Sequence, residues 1–228
     1  MPPTPRTPES TGERFVEVTL EVIAEAGGSQ DVNLREISRR VGCAHTNLYN
    51  YYATYQDLLW EAFRRGLILY GEFIVEGLGD SMEPDEYLRR VITNLATYPE
   101  QYPGLYRFIA SDPIDVEELP GDILEAVAGM KAWLTETFAA VSEGTSREAS
   151  QVASDIVLSY IDGETLNLIN GRVVPGEDVR GRVVANATRL FDLLTGDGSA
   201  DSSGAGAIRV MLPYPVMTLF GRTLGGPT

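Results

Sequence analysis

Between Asn33 and Tyr55 the chain gathers side chains suited to hydrogen bonding on a polar, anionic surface. They are Asn33, Arg35, His45, Thr46, Asn47, Tyr49, Asn50, Tyr51 and Tyr55, with the small Ala44 among them. Amide, hydroxyl and imidazole groups can address base edges, while guanidinium and phenol groups can reach phosphates. The same chain is a poor catalytic kit. His45 is the only histidine and Cys43 the only cysteine. A zinc site or a thiol–imidazole pair therefore lacks its co-ligands. Glu117 and Glu118 are paired carboxylates in a loop without a supporting His or Lys, and a solvated face is the better reading. No catalytic residue, metal ligand or cofactor is expected, and no enzyme.

These residues need elements to hold them. Asn33-x-x-Glu36 has the form of a capping box opening a short helix that Gly42 closes. A second short helix over about His45–Tyr51 follows, and Thr54-x-x-Asp57 offers a cap for a long helix reaching about Leu78. Two short helices around a Gly-containing turn, residues 33–52, form a helix-turn-helix layout. Leu34, Ile37, Val41, Leu48, Tyr52 and Leu58 can pack inward, leaving the polar set outward. Ahead of it, Phe15, Val18, Val22, Ile23 and Ala26 make a helical stripe that Gly27-Gly28 ends.

The rest of the chain reads as helices too. Candidates lie at about 85–97, 102–110, 120–141, 145–170 and 177–194, with Pro99 and Pro103 as punctuation. No strand alternation stands out, so the fold class is all-α with about nine helices. Residues 1–12, rich in Pro, Thr and Ser, read as a disordered arm, and 13–70 as the helix-turn-helix domain. Residues 71–195 read as a second helical domain. The Gly/Ser-rich stretch and apolar piece Ile208–Phe220 make 196–228 a flexible tail.

The formal net charge of −15 argues against a nucleic-acid partner only as an average. Residues 1–70 carry seven arginines against nine carboxylates, and 33–52 carry Arg35, Arg39 and Arg40 against Glu36 alone. The acid load sits in the remainder. Lys131 is the only lysine, which suits high internal salt and equally GC-rich codon bias. The absence of a long apolar run and of disulfide partners points to a reducing cytoplasm and no membrane.

Residues 14–62 resemble the DNA-binding domain of the TetR family. The matching pieces are Ala-Glu-Ala-Gly (24–27), Leu-Arg-Glu-Ile-Ser (34–38), Val41-Gly42, Leu-Tyr-Asn-Tyr-Tyr (48–52) and Leu58-Leu59. The C-terminal half is similar, over Tyr102–Phe108 and Tyr160–Leu168, to a subgroup with a Trp/His-Gly motif. Here Asp162 stands before Gly163 in place of the usual His. The resemblance implies an N-terminal three-helix DNA-binding domain and a C-terminal helical ligand-binding and dimerisation domain. It also implies a homodimer on palindromic double-stranded DNA, released by a small-molecule effector, as a repressor. Its last two helices would build a four-helix interface with their two-fold mates.

The DNA-contacting set is then Asn33, Arg35, Ala44, His45, Thr46, Asn47, Tyr49, Asn50, Tyr51 and Tyr55. Tyr55 departs from the family's usual Lys at a phosphate position. Tyr102, Tyr106, Trp133, Tyr160, Asp162 and Asn167 are candidate ligand contacts, although aromatics at helical spacing equally read as core. A different class stays open: a helical protein-interaction module of the same fold with little DNA affinity, motivated by Tyr55 and the acidity.

Overall fold

The computed structural model describes residues 8–79, 81–114, 118–142 and 145–196. Among them are eight α-helices, one 3₁₀ helix and no strand. The described residues divide into two compact units, one within residues 1–70 and 102–120, the other within 71–101 and 121–228.

The first unit begins with α1 (Pro8–Ala26). The helix starts inside the segment expected to be a disordered arm. Pro8 stands at its first turn, where a missing N–H costs no intrahelical bond. Further along, Tyr52 donates its hydroxyl to Gly12 O at 3.0 Å, tying this extra turn down. Phe15, Val18, Val22 and Ile23 are buried as the stripe requires. Each such side chain contributes about 1.5–3 kcal/mol on full burial.

In α2 (Leu34–Val41), Asn33 Oδ1 accepts the Glu36 N–H at 3.1 Å, and Gly42 closes the helix at φ 83°. That left-handed turn favours glycine. Ser38 O accepts both Gly42 N–H at 3.0 Å and Cys43 N–H at 3.1 Å, which folds the turn back on the helix. His45–Asn50 is a 3₁₀ helix, not the α-helix expected. His, Thr, Asn and Tyr are weak α-formers, and Ala44 offers no side-chain cap. The i→i+3 bonds Asn47 N–H to Ala44 O and Tyr51 N–H to Leu48 O, both 2.9 Å, take over.

The helix α3 (Tyr55–Ile74) opens on a reciprocal box: Asp57 N–H to Thr54 Oγ1 at 3.0 Å, Thr54 N–H to Asp57 Oδ2 at 2.8 Å. It leaves the first unit after Tyr70. Residues 102–110 fall within the span 71–195 expected to form the second domain. Instead α5 (Pro103–Ala110) belongs to the first unit and packs on α1. A Cβ on Gly104 would lie 2.7 Å from Ala24 O and 2.8 Å from Ile23 O, so only glycine allows this approach. Edge-to-face contacts of Phe63 with Phe108 (5.5 Å) and Tyr70 with Tyr106 (5.9 Å) join α3 to α5.

The second unit consists of α4 (Pro84–Gln101), α6 (Gly121–Val141), α7 (Arg147–Ile169) and α8 (Val179–Thr195), with the end of α3. Pro99 was expected to punctuate, yet α4 runs through it. Leu95, Ala96, Tyr98 and Pro99 are all buried there, and that packing offsets the roughly 3 kcal/mol a mid-helix proline costs. Ser146 caps α7 by accepting Ala149 N–H at 3.2 Å. Thr145 donates its hydroxyl to Thr195 O at 2.9 Å, which sets the start of α7 beside the end of α8. Phe138 and Phe191 meet edge to face at 5.2 Å between α6 and α8. The arm's residues 1–7 and, past Gly196, the tail lie outside the described residues.

Candidate nucleic-acid interface

The helix-turn-helix presents one polar surface built from α2 and the 3₁₀ segment. Asn33, Arg35, Ala44, His45, Thr46, Tyr49 and Asn50 are exposed, and Asn47 is half-buried. Leu48 and Ile37 are fully buried and hold the two elements against the unit's core. Tyr49 is the notable member, an aromatic side chain left 54% exposed. Asn50 donates to Asn47 Oδ1 at 2.7 Å, so the two amides are oriented as a pair. Amides, hydroxyls and a flat ring at the front of a short helix are chemically suited to base edges and thymine methyls.

Two of the ten candidates point elsewhere. Tyr51 is half-buried, its ring 6.3 Å from Phe15 and over Gly12, where a Cβ would come within 3.3 Å of it. Its apolar ring is taken by α1. Tyr55 is turned inward and donates its hydroxyl to Val32 O at 3.2 Å. Burial pushes its phenol above the usual tyrosine range. A hydroxyl spent on a backbone carbonyl is not presented to a phosphate. Cys43, at the turn, is a half-buried free thiol.

The local charge is more tightly bound than its count suggests. Glu36 accepts from Arg39 at 2.7 and 2.9 Å and from Arg40 at 2.7 Å, and Arg40 also grips Glu25 at 2.7 and 2.9 Å. Arg39 and Arg40 hold the Glu36 carboxyl down to about 2, and Arg40 alone also lowers that of Glu25. Arg35, by contrast, is exposed and makes no ion pair with a described residue. It is the cation of α2 with its charge uncompensated.

The candidate ligand contacts divide between the two units. Tyr102 (exposed) and Tyr106 (buried) belong to the first unit, around α5. In the second unit Trp133 is half-buried on α6, and Asp162 and Asn167 are exposed on α7. Tyr160 is half-buried, its hydroxyl accepting from Asn186 Nδ2 at 3.0 Å across α7 and α8. An open groove of about 340 Å³ is lined by Ser146, Glu148, Ala149, Val152, Ala153 and Leu194, and includes none of the six. Among the described residues no three His, Cys, Asp or Glu side chains gather as a metal would require. No described helix is long and apolar enough to cross a membrane.

Similarity to solved structures follows the fold. A TetR-like transcriptional regulator from Rhodococcus sp. RHA1 superposes with TM-score 0.64 at 13% identity, over 86% of this chain and 100% of that one. The fatty acid degradation regulator FadR from Bacillus halodurans gives TM-score 0.60 at 18% identity, over 87% and 100%. The fold is that of TetR-type regulators. A TetR protein from Acinetobacter baumannii AYE, in complex with minocycline, shares the TetR-type fold at TM-score 0.56 and 15% identity, over 80% and 97%. No family model and no curated protein matches the sequence. In this chain α2 and the 3₁₀ segment form the helix-turn-helix. The contacts that hold them by way of Ser29, Gly104 and Asp112 carry no local sequence signal.

Proposed function

We propose that this chain is a sequence-specific DNA-binding transcriptional regulator, a repressor that a small-molecule ligand releases from a palindromic operator. The observation that carries the reading is the exposed row Arg35, Ala44, His45, Thr46, Tyr49 and Asn50 on a helix-turn-helix whose apolar residues are buried. Asn33 and Asn47 extend it. The working form is a homodimer. Val152 and Ile156 on α7 and Leu193 and Leu194 on α8 are large apolar side chains left 38–70% exposed, and a second copy would cover them. Two copies would set two 3₁₀ reading segments in successive major grooves, about 34–36 Å apart. The solved minocycline complex of a protein of this fold supports a small-molecule effector. Such a ligand lowers DNA affinity by as much as it prefers the released conformation.

Selection of bound duplexes from random DNA by the purified protein tests the reading. Enrichment of an inverted repeat, bound less tightly as salt rises, is the expected result. No enrichment at any salt concentration would refute it. The inward turn of Tyr55 favours one alternative, a protein-interaction module with little DNA affinity. His45→Ala with Tyr49→Ala separates the two. Regulation lost in cells supports the DNA reading, and regulation unchanged supports the interaction module.

A further inference from the structure

The loop Gly27–Asn33 between α1 and α2 is fastened at both ends by side chains that come from outside it. At its start, Asp112 Oδ2 accepts the backbone N–H of Ser29 at 2.7 Å and the Ser29 hydroxyl at 2.6 Å. Asp112 is only 9% exposed and lies just beyond α5, 83 residues along the chain from Ser29. Gly28, at φ 150°, makes the approach possible. A Cβ there would come within 3.1 Å of Arg107 Cδ and 3.3 Å of both Asp112 carboxylate oxygens. At the loop's far end Tyr55, in the first turn of α3, donates to Val32 O at 3.2 Å. Between the two pins, Val32 N–H returns to Ser29 O at 3.2 Å. The next residue is Asn33, the cap of α2, and Arg35 follows two positions on.

We propose that Asp112 and Tyr55 are positioning residues for DNA reading, two pins that hold the α1–α2 loop so that Asn33 and Arg35 are presented to the duplex. The proposal rests on the DNA-binding reading above. In this arrangement neither residue touches DNA. A carboxylate suits the first pin because it is acceptor-only, so one oxygen can take both Ser29 donors in charge-assisted bonds. An amide in its place keeps one oxygen acceptor but loses the charge that strengthens both bonds. The loop needs such help. It begins with two consecutive glycines, and α2, at eight residues, is too short to fix its own position. Only molecules with the loop in place bind, so the apparent Kd is the intrinsic value divided by that fraction. Loosening a pin thus weakens binding without removing any contact to DNA.

The test uses the full chain and the variants Asp112→Asn, Tyr55→Phe, Ser29→Ala and Ser29→Thr. Hydrogen exchange of amides 29–37 is followed in the DNA-free protein. Affinity for the duplex selected by the wild type, and the thermal midpoint, are measured beside it. Asp112→Asn and Tyr55→Phe should each weaken binding roughly tenfold in fully folded protein, the scale set by losing a buried hydrogen bond to the loop. Ser29→Thr, which keeps both donors, should bind as the wild type does. Ser29→Ala combined with Asp112→Asn should be no weaker than Asp112→Asn alone. Faster exchange across 29–37 should accompany the loss. Variants with a lowered thermal midpoint but wild-type affinity when folded would overturn the proposal, since the pins would then be merely structural. If the wild type selects no duplex, the DNA-binding reading fails separately. Exchange at 29–37 still decides the pins: faster in the variants supports them, unchanged refutes them.

Discussion

Glu36 decides how much of the basic surface of α2 is offered outward. It engages Arg39 and Arg40 together, leaving Arg35 as the uncompensated charge. Glu36→Gln should therefore steepen the dependence of log K on log salt. The expected change is about 0.9 in slope for each arginine that then reaches a phosphate. Arg35→Ala should flatten the slope by a similar step. A salt titration of operator binding checks both. Glu36 also sets an acid signature. Its folded carboxyl lies at about 2 against an ordinary 4.5, so its contribution to stability is complete above about 4.5 and is lost as pH falls toward about 2. Thermal midpoints of Glu36→Gln should accordingly lose less than the wild type over that window. The network is solvent-exposed, so the difference should be small. At this scale the sequence pattern was informative about residue type and less so about direction. His45, Thr46, Tyr49 and Asn50 face outward as their polarity suggests. Tyr51 and Tyr55 do not, because a phenol is as content against Phe15 or a backbone carbonyl as against a phosphate.

At the scale of elements, local rules did well wherever a cap or a stripe was local. Asn33 and Gly42 bound α2, and Thr54 with Asp57 opens α3, each by bonds within four residues. Two features were illegible because they depend on distant partners. α4 continues through Pro99 because its neighbours bury that face. Above all, α5 joins the first unit, some thirty residues past where that unit otherwise ends, through the fit of Gly104 on α1 and of Asp112 on Ser29. Gly104→Ala tests that fit. The added Cβ meets backbone oxygens, not flexible side-chain ends, so the helices must separate, at a cost of about 1–3 kcal/mol. A lowered midpoint in denaturant without a changed slope should report it. An unchanged midpoint would mean α5 is not fastened as described.

At the scale of the whole molecule, charge and assembly matter most. The formal net charge of −15 is carried outside residues 33–52, which hold Arg35, Arg39 and Arg40 against Glu36 alone. Val152→Asp with Leu193→Asp places charges on the exposed apolar face of α7 and α8. Sedimentation should show monomers where the wild type shows dimers, and operator affinity should fall with the second half-site. The selection experiment, run with full-length protein over a range of salt, bears most directly on the central claim. The expected outcome is one inverted repeat, its half-sites about one helical turn apart. Two chains should bind per duplex, with affinity falling steeply as salt rises and lost on His45→Ala with Tyr49→Ala. Random recovery of sequences, or binding indifferent to salt and to those two substitutions, would contradict it.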